Sequence, residues 1–490
     1  MQIGLNSSTT DAGNDRPIWP ILLAVGAGTF MSALDSSVVN TVLPVIRGAF
    51  RADFATIQWV VTVYLLVVSG LLLTFGRLGD LRGHKSVYSA GFVVFVAGSV
   101  LSALATSASA LIGFRAVQGL GAAMLFANSP AILTKNVPAA RRGQALGLAA
   151  TMTYLGLTVG PPLGGLLTQT FGWQAIFYIN VPIGLGALLL TWRFVPYDRA
   201  EVSEEKFDPA GAVLFMAGLV ALLFALDQGH DLGWASPLVA VSFCAAVLSL
   251  ASFVFVETRA RFPMLDLSLF RSRVFSAATG SALLNYISVY TIVFLMPFYL
   301  IQGRHLTPSR AGLFLTVQAV TMAVIAPISG TLSDRIGTRV PAATGMGLLA
   351  AGLLLLSGLG PVSPPALIAG ALFVSGLGTG IFISPNNSAL MGAAPRRRQG
   401  IAAGVLAEAR NVGMVLGVGL AGAIFTTVAG PTGSVVSSPG LYKGVSAAFA
   451  VVAGVALAGT IVAAVGVRGR GEASEPASAE VPGESAPEDG

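Results

Sequence analysis

One acidic residue lies inside an otherwise apolar run of the sequence. Asp35 falls within TFMSALDSSVVNTVLP, which occupies residues 29–44. A charged residue near the centre of a membrane helix costs about 2.5 kcal/mol or more, and such residues mark ion pathways and proton relays. We therefore predict that Asp35 binds and releases a proton. The alternative is a polar residue that only joins two helices.

Two further charged residues lie in apolar runs, Arg115 and Glu408. A guanidinium beside Asp35 would stabilise the ionised carboxylate, so we predict that this pair couples proton binding to a change of conformation. The alternative is that Arg115 only braces the first, second and fourth spans. For Glu408 three roles stay open: a second proton site, a docking point for cationic substrates, or the partner of a basic loop residue.

Residue types for metal or nucleophilic chemistry are scarce. Cys244 is the single cysteine, which excludes a disulfide within one chain and a cysteine metal site. The three histidines, His84, His230 and His305, are predicted to lie in connections, so neither an HExxH-type zinc site nor an enzymatic constellation is found. Without a G-x-x-x-x-G-K-[ST] loop, ATP is not the expected driver. We therefore expect a protein that is not an enzyme, needs no cofactor and uses a proton gradient.

The composition requires lipid as the surrounding medium. Of 490 residues, 54% are hydrophobic and 10% are charged, whereas a soluble chain is about a quarter charged. Apolar stretches of about 20 residues, enough to cross the hydrocarbon layer, recur without alternation, which favours helices over strands. We predict an all-α integral membrane protein. Its fourteen spans start near Ile18, Thr56, Val87, Ala110, Gln144, Gln174, Pro209, Leu238, Val274, Ser309, Arg339, Pro365, Gly400 and Val445.

The distribution of lysine and arginine predicts the orientation. With the N-terminus inside, most basic residues fall in cytoplasmic connections. The basic residues predicted outside are Arg47, Arg51, Arg304, Arg310 and Lys443. We therefore predict a multi-pass protein of the cell membrane with both termini in the cytoplasm. The net charge of +6 reflects this topology and not nucleic-acid binding, because the basic residues are scattered over many loops.

This topology predicts that Asp35 and Arg115 lie at similar depths. Asp35 lies nine residues before Pro44, near the outer end of the first span, and Arg115 lies about five residues into the fourth. At 1.5 Å per residue, both are about 7–14 Å below the outer surface. Glu408 is predicted to lie nearer the cytoplasmic face, and Arg410, two positions further, faces another way.

The chain contains an internal repeat. GRLGDLRGHK at residues 76–85 and GTLSDRIGTR at residues 330–339 share the frame G-x-L-x-D-x-x-G-x-[KR] at an offset of 254 residues. A second set of glycines, including Gly119 and Gly156, recurs 257 residues later, as Gly376 and Gly413. Small residues also recur because membrane helices need them for packing, but that does not explain the shared acid and basic end. Duplication into two six-helix repeats, with a substrate site between them, is a transporter architecture.

The repeat and the charged mid-chain segment together predict the domain organisation. We expect two pseudo-symmetric six-helix bundles with two inserted helices between them. A cytoplasmic N-terminal segment at residues 1–17 precedes the N-terminal bundle at residues 18–195. A linker with the inserted helices follows at residues 196–258, and the C-terminal bundle at residues 259–467. The chain is predicted to end in a disordered acidic cytoplasmic tail at residues 468–490.

Several motifs resemble the major facilitator superfamily. The loop at residues 76–85 is similar to the signature loop of that superfamily, and fourteen spans resemble its fourteen-helix drug:proton antiporter group. LDSSVVNTVLP from Leu34, FRAVQGLGAA from Phe114, GLTVGPPLGG from Gly156 and FYINVPIG from Phe177 are similar to motifs of that group. The matches cover most of residues 20–470, and the resemblance implies a multidrug efflux transporter.

The signature loop is predicted to act as a gate. Gly76 and Gly83 would permit a tight turn, Asp80 would offer its carboxylate to a helix N-terminus or a nearby arginine, and Lys85 ends the motif. Such a cytoplasmic contact could latch the outward-facing state. The alternative is that these basic residues only mark the topology. The second-half counterparts are Gly330, Asp334, Arg335, Gly337 and Arg339.

The antiporter motif of the fifth span is predicted to lie between the two halves. Glycines four residues apart form a smooth ridge, and the prolines bend the helix, so the other half can approach closely. A tightly sealed interface would prevent proton leak, which favours exchange over symport. The motif residues are Gly156, Gly160, Pro161, Pro162, Gly164 and Gly165.

These features predict a secondary active transporter that exports amphipathic drugs or antibiotics in exchange for protons by alternating access. Its partners would be a small organic substrate, protons and the lipid bilayer. The alternative is a proton-coupled symporter that imports a small organic nutrient. Candidates for the substrate cavity are Gln58, Tyr64, Gln118, Asn285, Tyr286, Tyr290, Tyr299, Gln318, Phe382, Asn386 and Asn387.

Overall fold

A computed structural model describes most of the chain. The described residues are 18–138, 141–198, 208–230, 232–260, 265–395, 398–429 and 438–466. The predicted N-terminal segment at residues 1–17 and the predicted disordered tail at residues 468–490 lie outside the described residues.

Fourteen long helices follow one another along the described chain. In the first half these are α1 Ile18–Phe50, α2 Phe54–Arg82, α3 His84–Ala103, α4 Ala108–Asn136, α5 Arg142–Phe171 and α6 Ala175–Phe194. The inserted helices are α7 Pro209–Gln228 and α8 Pro237–Arg259. In the second half these are α9 Arg273–Gly303, α10 Pro308–Ile336, α11 Arg339–Ser357, α12 Pro365–Ala393, α13 Gln399–Ala429 and α14 Ser438–Gly466.

Length and composition identify almost all of these helices as membrane spans. Among the described residues, 13 helices are long and apolar enough to cross a membrane. The exception is α5, which has 30 residues but is rich in glycine and threonine. It packs between α1 and α10, where small residues allow close contact between helices. The protein is therefore an all-α membrane protein, as predicted.

The predicted starts of the spans agree with the helices to within three residues, except at the last one. The last helix, α14, starts at Ser438 and not near Val445. Its first turns contain Gly440, Lys443 and Gly444, which lower the local hydropathy. A helix continues beyond the hydrocarbon layer when its backbone hydrogen bonds are satisfied, so hydropathy alone placed this start too late.

Equivalent glycines make equivalent contacts in the two halves. A Cβ atom on Gly91 of α3 would meet the carbonyl oxygen of Gly121 in α4 at 3.1 Å. In the second half, a Cβ on Gly345 of α11 would meet the carbonyl oxygen of Gly378 in α12 at 2.7 Å. The repeat seen in the sequence is therefore a repeat of helix packing, and the two six-helix bundles are pseudo-symmetric.

The two bundles meet along two equivalent seams. At the first seam, Gly165 of α5 leaves no room for a Cβ against the backbone of Pro308 in α10, and Gly312 of α10 leaves none against Pro161. At the second seam, Gly422 of α13 packs directly against the side chain of Gln58 in α2. Gly165 and Gly422 are 257 residues apart, the same offset as the sequence repeat.

These seams lie at one end of the molecule, which we call the Arg47 side because α1 ends there. Arg47 Nη1 donates to Gln302 Oε1 of the other bundle at 3.0 Å, and the Phe54 and Phe425 rings stack at 4.2 Å. At the opposite ends of α5 and α13, Gly147 and Gly404 have open space around a Cβ position. The bundles are therefore closed together on the Arg47 side.

The inserted helices lie against the second seam. Gly70 of α2 packs against Met216 of α7, and Gly419 of α13 packs against Leu223 of the same helix. Trp59 Nε1 donates to Asp227 Oδ2 at 2.9 Å. The helix α7 therefore contacts both members of the α2–α13 seam.

Candidate functional site

Asp35 lies at the centre of a buried polar cluster in the first bundle. Its Oδ2 accepts a hydrogen bond from Arg115 Nη1 at 2.6 Å, which forms an ion pair between α1 and α4. Both residues are 1% exposed. Arg115 Nε also donates to the carbonyl oxygen of Val60 at 3.2 Å, so the arginine joins α1, α2 and α4. Arg115 therefore both pairs with Asp35 and braces these three helices, and its coupling role stays a prediction.

The second carboxylate oxygen of Asp35 is held by amide donors. Gln118 Nε2 and Asn180 Nδ2 each donate to Asp35 Oδ1 at 2.8 Å. Both amides also donate to Ser99 Oγ, which ties the cluster to α3. Every contact to Asp35 is from a donor, so the geometry is that of an ionised carboxylate, which is an acceptor only. Among the described residues, the side chains that donate to the Asp35 carboxylate all belong to the first bundle.

Sequence reasoning did not identify Asn180 as a site residue. The signal was present, because Asn180 is the asparagine of FYINVPIG, a motif that already carried the family resemblance. A short interruption at Ile179 separates the first turn of α6 from the rest of the helix, which begins at Asn180. Only the folded chain places this side chain beside an acid 145 residues earlier.

Tyr64 connects this cluster to the space between the bundles. The guanidinium carbon of Arg115 lies 4.1 Å from the centroid of the Tyr64 ring, within cation–π distance. The same tyrosine lines a central cavity. A movement of Arg115 would therefore displace the Tyr64 ring at the cavity wall.

The central cavity lies between the two bundles. Its wall is built from both bundles, and most of the lining is apolar. It is lined by Ser32, Ala33, Ser36, Ser37, Thr41, Tyr64, Leu65, Val68, Phe126, Thr153, Tyr154, Leu157 and Pro161 from the first bundle. The second bundle contributes Tyr286, Val289, Tyr290, Val293, Leu315, Gln318, Ala319, Met322, Thr379, Ile383, Arg410, Asn411 and Met414.

Four of the predicted cavity residues line this cavity, namely Tyr64, Tyr286, Tyr290 and Gln318. Two other candidates belong elsewhere, contrary to the prediction. Gln118 is part of the Asp35 cluster, and Gln58 is at the α2–α13 seam.

The remaining five candidates are also absent from the cavity wall, because they pack within the second bundle or at its edge. The Asn386 side chain bonds to Ser281 and to the carbonyl oxygen of Ala278. Tyr299 donates to the carbonyl oxygen of Gly360 at 2.9 Å. The others are Asn285, Phe382 and Asn387. Polarity within a span cannot distinguish a cavity-facing side chain from one that joins two helices.

Sequence reasoning also missed lining residues that carry chemistry. Arg410 and its neighbour Asn411 face the cavity from α13, and Tyr154 and Phe126 face it from α5 and α4. Arg410 had been noted only as a residue that points away from Glu408. Because α13 has no strong apolar stripe, its cavity-facing side could not be assigned from the pattern.

Glu408 lies within the second bundle and does not line the cavity. Its side chain is buried, and neither carboxylate oxygen has a hydrogen-bond partner among the described residues. A buried ionised carboxylate without a partner is costly, so this environment suits the protonated acid. Glu408 therefore remains a candidate for proton binding. Because it does not line the central cavity, it is not a docking point for substrate there.

The first predicted gating loop forms a tight turn. Gly83 has φ +89°, a conformation that favours glycine. Asp80 Oδ2 lies 3.5 Å from Arg77 Nη1, and Asp80 Oδ1 lies 3.3 Å from His84 Nε2. The carboxylate therefore contacts an arginine, one of its two predicted partners. Contrary to the prediction of a connection, His84 is buried and begins α3.

The carboxylate at the N-terminus of α3 belongs to Asp198 and not to Asp80. Asp198 accepts from the backbone nitrogens of His84 and Lys85 at 2.7 and 3.1 Å. Lys85 Nζ donates to the carbonyl oxygen of Trp192 near the end of α6 at 2.9 Å. These contacts fix the loop to its own bundle, since a basic group is favourable at a helix C-terminus.

The second gating loop repeats this arrangement in part. Gly337 has φ +85°, and Arg339 Nε donates to the carbonyl oxygen of Ala464 near the end of α14, as Lys85 does at α6. Gly76 faces Ala127 of α4, and Gly330 faces Ser384 of α12. The remaining two predicted residues, Asp334 and Arg335, are exposed.

The antiporter motif has two faces, contrary to the prediction of one ridge toward the other half. Gly156, Gly160 and Gly164 pack against the α1 segment from Phe30 to Val38 in their own bundle. Gly165 faces α10, and the carbonyl oxygen of Pro161 lies close to Gly312 of that helix. The reason is the helical period: residues four apart share one face, and Gly165 lies one position further. Pro162 is also in this segment, inside α5.

Two bundles of membrane helices, a cavity between them and a buried charge cluster are features of a membrane transporter. Comparisons with known proteins agree. The family model of the Major Facilitator Superfamily matches residues 25–280 and 278–487. The chain therefore belongs to the Major Facilitator Superfamily.

Curated relatives refine this assignment. The chain is 34% identical over 404 residues to the multidrug resistance protein Stp of Mycobacterium tuberculosis, with 82% of this chain and 75% of the relative covered. It is 33% identical to the tetracenomycin C resistance and export protein of Streptomyces glaucescens, with 85% and 77% covered. It is also 34% identical to the riboflavin transporter RibZ of Clostridioides difficile, with 83% and 88% covered. The resistance and export relatives support the resemblance to the drug:proton antiporter group.

The fold also matches solved transporter structures. A bacterial homolog of the human lysosomal transporter Spinster, in an inward-facing and unoccupied conformation, gives a TM-score of 0.67 at 15% identity. The match covers 92% of this chain and 97% of that one. This likeness supports the fold.

Proposed function

We propose that this protein exports amphipathic organic compounds, such as drugs or antibiotics, in exchange for protons. The rocking units are residues 18–195 and 259–467, and the protein lies in the cell membrane with both termini in the cytoplasm. The Arg47 side is then the outer side. Asp35 carries the proton, Arg115 responds to its charge, and the central cavity binds the substrate.

The Asp35 cluster is the single observation that carries this proposal. A buried ion pair that loses one charge leaves the other uncompensated, at a cost of several kcal/mol in typical proteins. Protonation of Asp35 therefore releases Arg115 from α1. Because Arg115 stacks on Tyr64 at the cavity wall, a proton taken up at Asp35 changes the cavity.

The arrangement of the two seams supports an exchange mechanism. With the outer side closed and Asp35 ionised, the described state is ready to take up substrate from the cytoplasm. Substrate binding and outward opening then expose Asp35 to protons from outside. The tight contacts of Gly165 and Gly312 seal the outer side while substrate binds from the cytoplasm, before outward opening, which supports exchange over symport.

The gating loops and Glu408 have secondary roles in this proposal. In the outward-open state the cytoplasmic ends of the bundles must meet, and the half-exposed Asp80 and the exposed Asp334 are acids there that can form a latch. Glu408, buried without a hydrogen-bond partner in the described part of the chain, is a second proton site in α13.

Inverted membrane vesicles test the direction of transport. In these vesicles the former outer side faces an acidified lumen. We expect that adding an amphipathic dye or antibiotic to the bath releases protons from the lumen, while vesicles without the protein give no response. We expect this loss of lumen acidity only when the compound is added. A panel of compounds that leaves lumen acidity unchanged, together with accumulation in intact cells, would contradict export.

Import of a small organic nutrient by proton symport is the second candidate function. One observation favours it: the relative named riboflavin transporter RibZ is as similar to this chain as the multidrug resistance relative. Symport predicts that substrate and protons cross in the same direction, and the vesicle experiment measures that direction.

A further inference from the structure

Arg410 places a positive charge at the central cavity. It lies on α13, lines the cavity, and its guanidinium carbon is 5.9 Å from the Phe126 ring of the opposite bundle. Its Nε is buried and has no hydrogen-bond partner among the described residues. The arginine is thus held at the cavity without an ion-pair partner in the described part of the chain.

No carboxylate belongs to the cavity wall among the described residues. Arg410 is the only charged residue among the described residues that line the cavity. Asp35 is bound by Arg115, and the described ion pairs do not include one between Arg410 and Glu408. Glu408 lies two positions away, which is about 200° around the helix. An unpaired guanidinium in a medium of low dielectric attracts an anion strongly.

Two further nitrogen donors at the cavity also lack partners. Asn411 and Gln318 are 4% and 6% exposed, and both line the cavity. Their amide nitrogens, Nδ2 and Nε2, have no hydrogen-bond partner among the described residues. Buried polar groups are normally satisfied, so three donors without partners on residues that line one space are available to a ligand with oxygen acceptors.

The rest of the wall suits a flat aromatic ring system. Tyr64, Phe126, Tyr154, Tyr286 and Tyr290 all line the cavity. Aromatic side chains stack on planar ligands, and tyrosine hydroxyls can also donate to an acidic group. The methionine side chains at the wall can adapt to ligands of different outline.

We propose that the cavity binds planar aromatic organic anions, and that Arg410, Asn411 and Gln318 hold the acidic group of the ligand. The proposal rests on the proposed transport function, because it names the substrate class of the same cavity. A cationic aromatic compound would meet the unpaired guanidinium and no carboxylate, so it binds less tightly than an anion of the same shape.

Binding to the purified full-length protein tests the substrate class without any proton gradient. Fluorescein and a cationic rhodamine share the xanthene ring and differ in charge, and fluorescence anisotropy reports the binding of each. We expect the wild-type protein to bind fluorescein more tightly than the rhodamine. Equal affinities, or tighter binding of the rhodamine, would overturn the proposal.

Variants at Arg410 test the role of the guanidinium. In Arg410→Gln we expect fluorescein binding to weaken at least about tenfold, as for loss of a hydrogen bond to a charged group, while rhodamine binding stays the same or improves. Arg410→Lys should keep part of the preference. Arg271→Gln makes the same change at an exposed arginine before α9 and should leave both affinities unchanged.

The rhodamine measurement also reports folding, since an unfolded variant would bind neither dye. Unchanged fluorescein affinity in a folded Arg410→Gln variant would overturn the proposal. This result is distinguishable from failure of the proposed function, which is measured as proton exchange in vesicles. A protein that exchanges protons for the rhodamine but does not prefer fluorescein would keep the proposed function and lose this inference.

Discussion

At the scale of the residue, the contacts of Asp35 explain how a carboxylate can stay ionised among apolar helices. Three donors from Arg115, Gln118 and Asn180 surround its two oxygens at 2.6–2.8 Å. Hydrogen bonds with one ionised partner are roughly twice as strong as neutral ones. The same arrangement makes protonation costly to the network, because the Arg115 charge then loses its counter-ion. In the proposed cycle, proton binding at Asp35 would therefore be a signal to the helices that Arg115 joins.

Tyr64 is the residue that would pass this signal to the cavity. In Tyr64→Leu the ring over Arg115 is lost, and a contact of about 0.5–2 kcal/mol disappears with it. We expect fewer protons to move per substrate molecule, although substrate still binds. Tyr64→Phe keeps the ring and serves as the matched control, so its proton-to-substrate ratio should stay near that of the wild type.

The measurement is substrate-dependent proton flux in proteoliposomes at a known transport rate. Equal proton-to-substrate ratios in the leucine and phenylalanine variants would remove Tyr64 from the coupling path.

The sequence predicts some of these residues and not others, for a physical reason. A charge within an apolar span is conspicuous, so Asp35, Arg115 and Glu408 stand out. Asn180 does not, because neutral amides are common in spans and join helices as often as they bind ligands. Arg410 lies about a third of the way into its helix, but the sequence does not show which way its side chain points, so its position at the cavity needs the fold.

At the scale of the helix, glycines decide which surfaces meet. In α5 one set of glycines packs against α1, and Gly165 packs against α10, so one helix serves both the bundle and the seam. The repeat reproduces the first contact in α13, where Gly413 meets α9. Close packing of backbones is how membrane helices associate without a hydrophobic driving force.

A larger residue at the seam should separate the two bundles on the Arg47 side. In Gly312→Val the added side chain would overlap the backbone at Pro161, and overpacking of this kind costs about 1–3 kcal/mol. We expect the balance of conformations to shift away from the described state and transport to fall. The matched control is Gly370→Val in α12, where a Cβ meets open space.

The accessibility of the Arg47 side to a water-soluble thiol reagent measures this shift. It requires a cysteine introduced at Gln302 and replacement of Cys244 by serine. Labelling should be faster in Gly312→Val than in Gly370→Val. Identical labelling rates would show that this glycine does not hold the seam closed.

The helices themselves follow from hydropathy, and their starts were predicted closely. Hydropathy does not predict the rotation of each helix about its axis, and so it does not show which side faces a given neighbour. The glycine ridge of α5 illustrates this limit: its existence follows from the spacing, but its direction toward α1 depends on how the bundle packs. The same limit explains why most polar candidates for the cavity lie at helix contacts.

At the scale of the whole molecule, the two halves share packing but not charge. Packing aligns Leu34 with Ile287, so the counterpart of Asp35 in the second half is Ser288. By the offset of 257 residues, the counterpart of Arg115 is Leu372. The ion pair therefore belongs to the first bundle, whereas the unpaired cation of the cavity belongs to the second.

This division gives the two bundles different tasks in the proposed cycle. The first bundle carries the proton-dependent charge pair, and the second presents Arg410 to the substrate. They communicate across the cavity, where Tyr64 and Arg410 both form part of the wall. The architecture of two repeats was predictable from sequence, but this division of charges between a cluster and a cavity was not.

The central claim is that the charge of Asp35 couples proton movement to substrate movement. The measurement uses purified protein in proteoliposomes, with transport driven by a pH gradient in one arm and substrate-for-substrate exchange without a gradient in the other. Asp53→Asn is the matched control, because Asp53 caps α2 and asparagine caps equally well. Asp35→Asn should lose gradient-driven accumulation and keep exchange, while Asp53→Asn keeps both. Accumulation by Asp35→Asn that still collapses when the gradient is dissipated would contradict the account.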